Sequence, residues 1–199
     1  ARAAEITNGT APDDLATKIM TTPDPETGKR FTPAEMVDQV AIFFLAGHET
    51  SASALAWALY LLATHPEAQA RVAAEAAALP ANPGFSDLSK LGFTRDVFRE
   101  ALRLYPPVPM MVREAAQAER FRDREVPRGA QIVLSPWHLH RQTRLWDDPD
   151  GFAMAEGVLL MSAIVGAFRL SPVEGRVPVP VAHLTVRARD GIHLRLARR

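Results

Sequence analysis

Between Thr32 and Ala63 the chain holds a helical apolar pattern that nothing interrupts before Pro66. Thr32-Pro33-Ala34-Glu35 opens it. Thr32 can cap, Pro33 suits the first helical position, and Glu35 completes a capping box. The pattern predicts a helix of roughly 30 residues, about 45 Å long at 1.5 Å per residue. A helix of that length crosses a whole domain or a membrane. His48-Glu49-Thr50-Ser51 splits the apolar run in its middle, which argues against the membrane and for a domain. Phe43, Phe44, Leu45, Leu55, Trp57, Leu59 and Tyr60 leave little room for a solvated face, so the helix is expected to be buried.

Shorter elements follow. Pro66-Glu67 begins an Ala- and Glu-rich helix ending near Leu79-Pro80, and Asn82-Pro83-Gly84 is loop. Thr94 is expected to cap a helix that runs to about Leu104 and is closed by Pro106-Pro107. Arg124 to Gly129 reads as a turn and Gln131 to Leu134 as a short strand. Met154, Val158, Met161 and Val165 recur at helical spacing, predicting a helix from Ala153 to Phe168. At the C-terminus Leu184, Val186 and Ala188 alternate with polar residues, as do Ile192, Leu194 and Leu196. A three-residue loop at Arg189-Asp190-Gly191 would place both sets on one face of a hairpin. The expected fold class is mainly α with small β elements.

Bulk properties bound the function. At 199 residues the chain can form one domain with a real core, or part of a larger one. A net charge of +0 suggests no nucleic-acid or anionic-membrane partner. The absence of cysteine excludes disulfides and thiolate metal ligands within these residues, and fits a reducing, cytoplasmic location. Ala1-Arg2-Ala3-Ala4-Glu5 has no signal-peptide pattern and reads as an internal start.

Two short motifs carry the chemistry. Gly47, inside the long helix, costs about 1 kcal/mol relative to alanine, so something is expected to approach its backbone. Glu49 and Thr50 are polar groups near the middle of that helix. An unpaired carboxylate there is costly and usually functional. The plainer alternative has Thr50 bonding back to the Ala46 carbonyl and Glu49 finding a structural arginine. Glu100 and Arg103 share one helical face beside the apolar stripe of Val97, Phe98, Ala101 and Leu102. They form either a weak surface ion pair or a buried network that anchors a neighbouring loop. The six histidines, His48, His65, His138, His140, His183 and His193, lack typical ligand spacing and are read as structural or surface residues.

Ala46-Gly47-His48-Glu49-Thr50, followed by Glu100-Ala101-Leu102-Arg103 with Pro106-Pro107, resembles the cytochrome P-450 family. Leu139-His140-Arg141 through Trp146-Asp147-Asp148-Pro149 resembles the segment that comes next in that family. Ala153-Met154-Ala155-Glu156 resembles the helix after its haem-binding loop. The resemblance covers most of residues 30–199. It implies the C-terminal half of a haem-thiolate monooxygenase, with residues 1–199 as a single incomplete domain. The activity implied is insertion of one oxygen atom from dioxygen into an apolar organic substrate, with electrons from a redox partner.

Site residues carry over by the same resemblance. Ala46 and Gly47 would face the haem, and Glu49 and Thr50 would form an acid–alcohol pair delivering protons. Arg113 would pair with a haem propionate through its forked donors. Val108 and Met110 would border the substrate, Glu100 and Arg103 would be structural, and Ala153 would lie beside the haem. The family carries a Gly-rich loop with its ligand cysteine between the positions of Phe152 and Ala153, and this sequence passes straight across. Either the loop and the N-terminal half are omitted from these 199 residues, or the chain is a true deletion; the abrupt join favours omission. Haem is expected in the full-length parent and not bound by thiolate here. The competing reading is a haem-free, non-enzymatic helical fragment that keeps only the scaffold.

Overall fold

The computed structural model describes residues 2–25, 27–152, 159–182 and 185–199. The chain forms two compact units, Ala1–His48 and Glu49–Arg199. Helix α3 (Pro33–Thr64, 32 residues) runs through the boundary.

The first unit holds α1 (Arg2–Thr7), α2 (Leu15–Thr21) and the first half of α3. Asp14 caps α2 by accepting the Thr17 N–H, and Arg2 bridges Glu5 at 2.8 Å and Asp14 at 2.7 Å. The capping box that opens α3 forms as read. Thr32 Oγ1 accepts the Glu35 N–H at 3.3 Å, and Glu35 Oε2 accepts the Thr32 N–H at 2.7 Å. The expectation of a helix buried along its length fails in this half. Phe44 and Leu45 are 70% and 68% exposed, and Val37, Val40 and Ile42 are also open. Their apolar character runs around the helix rather than along one stripe. Within the unit they meet only short helices that bury no residue of their own.

The second unit carries the core. From α3 come Ala58, Leu61 and Leu62. From α4 (Pro66–Ala77) come Ala68 and Val72, and from α5 (Gly92–Leu104) come Val97, Ala101 and Leu104. Met161 and Val165 of α7 (Leu159–Ala167) and Leu170 of β5 (Phe168–Pro172) complete it. Leu62, Val72, Val97 and Val165 are wholly buried, each stabilising the fold by about 2 kcal/mol. Pro66 starts α4 at its first turn, as its fixed φ favours. The start of α5 corrects the sequence reading. Thr94 is not the cap, because the helix already begins at Gly92. The Glu75 carboxylate of α4 instead accepts the N–H groups of Phe93 and Thr94 and the Thr94 hydroxyl, at 2.7–2.8 Å.

Among the described residues, four two-stranded antiparallel sheets stand around this core. They are β1 (Met111–Glu114) with β4 (Gln131–Leu134), β2 (Glu119–Phe121) with β3 (Arg124–Val126), β5 with β8 (Leu194–Arg198), and β6 (Pro180–Ala182) with β7 (Val186–Ala188). A short helix, α6 (Pro136–Leu139), follows β4. The segment read as a turn at Arg124 is strand as far as Val126, and the turn itself falls at Gly129, with φ +83°. The expected C-terminal hairpin does not form. Val186 faces Ala182, while Leu196 faces Leu170. Alternation fixes which face of a strand is buried but not its partner. Here the Gln69 carboxamide bonds both the N–H and the carbonyl of Leu170 in β5, and β8 pairs with that anchored strand. Leu184, Met154, Val158 and Ala153 lie outside the described residues.

Candidate active site

Glu100 and Arg103, on one face of α5, are 3% and 6% exposed. A buried ion pair is tolerable only when its remaining donors are satisfied, and here all are. Arg103 Nε and Nη2 donate to the two Glu100 oxygens at 2.7 and 2.6 Å. Its other N–H groups donate to the carbonyls of His140, Pro149 and Gly151 at 2.7–2.8 Å. Five donors therefore have five acceptors. The guanidinium also lies 4.6 Å from the Trp146 ring centre. The pair is the buried loop anchor, not the surface pair. Next to it, Arg141 stacks on Trp137 at 3.6 Å, pairs with Asp150 at 3.2 Å and donates to the Leu104 carbonyl. Burial lowers the pKa of Arg141 and raises that of Tyr105.

Glu49 stands half-buried on α3. The Thr185 hydroxyl donates to its Oε1 at 2.6 Å, and Arg187 Nη1 lies 3.9 Å from the same oxygen. Ser53 and Trp57, one and two turns further on, donate to the Val186 carbonyl. Thr50 is half-buried beside Glu49. Ala46 and Gly47 are exposed on the first half of α3, and a Cβ added at Gly47 would meet nothing within 4 Å, so the expected close approach to its backbone is not seen. Arg113 is exposed on β1 and donates to the neighbouring Val112 carbonyl at 2.9 Å. Met110 lines an apolar cavity of about 290 Å³ with Pro109, Trp137, Val181, Ala182 and Val186. Val108, 43% exposed, does not line it.

Thr185, Arg187, Ser53 and Trp57 were not found from sequence. The signal available was the Glu49-Ser53-Trp57 spacing, which places all three on one helical face. Among the histidines, His140 Nδ1 meets the Arg103 carbonyl, His138 the Ser135 hydroxyl, His65 the Leu61 carbonyl and His193 the Asp190 carbonyl, while His48 stacks on Phe44. His183 lies outside the described residues. Among the described residues there is no group of three His, Cys, Asp or Glu placed to hold a metal ion, and no helix is long and apolar enough to cross a membrane.

Comparison with known proteins speaks to the family and the fold. The family model for cytochrome P450 matches residues 2–155. The chain is 32% identical to Cytochrome P450 4A11 of Homo sapiens over 208 residues, covering 87% of this chain and 40% of that protein. It is 34% identical to Cyclooctat-9-en-7-ol 5-monooxygenase of Streptomyces melanosporofaciens, covering 81% of this chain and 43% of that one. The crystal structure of the cytochrome P450DA heme domain superposes with a TM-score of 0.85 at 27% identity, over 99% of this chain and 52% of that one. The chain belongs to the cytochrome P450 family. It spans less than half the length of the curated relatives it matches.

These 199 residues do not supply the ligand that would hold the haem this family implies. That ligand would be a cysteine thiolate, and the 199 residues contain no cysteine. The match to Cytochrome P450 4A11 takes in about 173 residues of this chain, so about 35 of the 208 aligned positions face no residue here. The family-model match ends at residue 155.

Proposed function

We propose that the protein to which this chain belongs is a haem-dependent monooxygenase that inserts one atom of dioxygen into an apolar organic substrate, with electrons from a redox partner. The observation that carries the proposal is the half-buried Glu49 beside Thr50 in mid-helix, on a chain whose fold matches cytochrome P450 heme domains. In this reading Thr50 and Glu49 hold and move protons toward the reacting oxygen, a task that general acid–base groups perform at hydrogen-bond range. Met110 and the apolar cavity it lines support a lipophilic substrate. Val108 would border it from a more exposed position. Arg113, with its guanidinium turned to solvent, would take a propionate, and Ala46, Gly47 and Ala153 would lie close to the cofactor. A cytoplasmic location belongs to the same proposal.

The competing reading, a haem-free scaffold, is favoured by one observation, the missing cysteine. Intact mass and the reduced carbon-monoxide difference spectrum of the natural protein separate the two. The monooxygenase reading expects a mass well above 21.8 kDa and a thiolate-type Soret band. A mass of 21.8 kDa with no such band would establish the scaffold instead.

A further inference from the structure

The β6–β7 hairpin has one face against α3 and another against the apolar cavity. Glu49, Ser53 and Trp57 are four residues apart, so they form a row along one side of α3. All three meet a single strand end. Thr185 Oγ1 donates to Glu49 Oε1 at 2.6 Å, Arg187 lies 3.9 Å from that oxygen, and the Val186 carbonyl accepts from Ser53 Oγ and from Trp57 Nε1 at 3.3 Å. From another side, the Val186 N–H donates to the Pro107 carbonyl at 2.9 Å. Thr185 and Val186 are each 2% exposed, so these polar groups have little water to replace a lost partner. The same hairpin supplies Pro180, Val181, Ala182 and Val186 to the cavity wall, opposite Met110 and Trp137.

We propose that Glu49 and Thr185 act as a positioning couple: their hydrogen bond, backed by Ser53 and Trp57 on Val186, fixes the hairpin and so sets the shape of the cavity and the apolar ligands it accepts. The proposal rests on the monooxygenase reading only for calling that ligand a substrate. The chemistry separates it from a role for Glu49 as a proton carrier alone. Glutamine at position 49 keeps an oxygen that accepts from Thr185 but loses the acid, whereas alanine loses both. A carrier role makes the two variants equivalent, and a positioning role does not.

The test is binding of 1-decanol to the natural protein, followed by quenching of tryptophan fluorescence, since Trp137 lines the cavity. Glu49→Ala and Thr185→Val are expected to weaken binding about tenfold each, the scale of one hydrogen bond lost. The double variant should be little worse than either single one, because both remove the same contact. Glu49→Gln and Thr185→Ser, which keep the acceptor and the hydroxyl, should bind as the parent chain does. Thermal midpoints of all variants are recorded. If an alanine or valine variant unfolds, the conservative pair decides. A tenfold loss in Glu49→Gln or Thr185→Ser overturns the proposal. So does unchanged affinity in Glu49→Ala, strict additivity in the double variant, or no saturable binding by the unmodified chain. A negative carbon-monoxide spectrum would remove the monooxygenase reading and leave these binding results standing.

Discussion

Replacing Arg103 with lysine would keep a positive charge and discard the fork that reaches Glu100 and three carbonyls at once. Lysine has three donors on a single point and cannot span those acceptors. Arg103→Lys should therefore destabilise the chain by about 3 kcal/mol, the cost of a broken buried pair. Urea denaturation measures it, and a loss under about 1 kcal/mol would mean that residues 140–151 are held some other way. Thr50 makes a different kind of claim. In the full-length parent, Thr50→Ala should leave substrate binding nearly intact while product per reduced cofactor falls and peroxide release rises. Loss of one positioned group in a dry site typically costs about 10²-fold. Product and peroxide measured side by side decide it, and unchanged coupling would take Thr50 off the catalytic list.

The capping box at the start of α3 makes stability depend on acid. The Glu35 carboxylate is held below its usual 4.5, first by the Thr32 N–H and then by the Thr32 hydroxyl. A lowered carboxylate pKa stabilises the folded state above the ordinary glutamate value and stops doing so as pH falls through the lowered one. Helicity of the chain, followed by circular dichroism from pH 5 downward, should drop less steeply in Glu35→Gln than in the parent sequence. Identical titrations would show that the box has no part in it. This box was legible in advance because its two partners sit three residues apart. Pro66 and the Gln131–Leu134 strand were legible for the same local reason. The start of α5 was not, since its cap is Glu75, on another helix. The pairing of β7 and β8 was not, since their alternation says nothing about Gln69 holding β5. In the site, Glu49 could be singled out as a costly carboxylate, but Thr185 is remote in sequence and an isolated threonine carries no signal.

Taken as a whole molecule, the chain gathers its buried core in the second unit and leaves a dense run of apolar residues open in the first. Val37, Val40, Ile42, Phe43, Phe44 and Leu45 crowd onto three turns of α3, each more than half exposed. Contiguous apolar surface of this kind drives association in water. The 199-residue chain should therefore self-associate at micromolar concentration, and Phe44→Ser with Leu45→Ser should shift it toward monomer in size exclusion with light scattering. A parent chain that is already monomeric would contradict this.

The Arg103 anchor has an evolutionary consequence. It grips the carbonyls of His140, Pro149 and Gly151, atoms that every amino acid supplies. Side chains along 140–151 can therefore drift without loosening the grip, so long as the backbone path is kept.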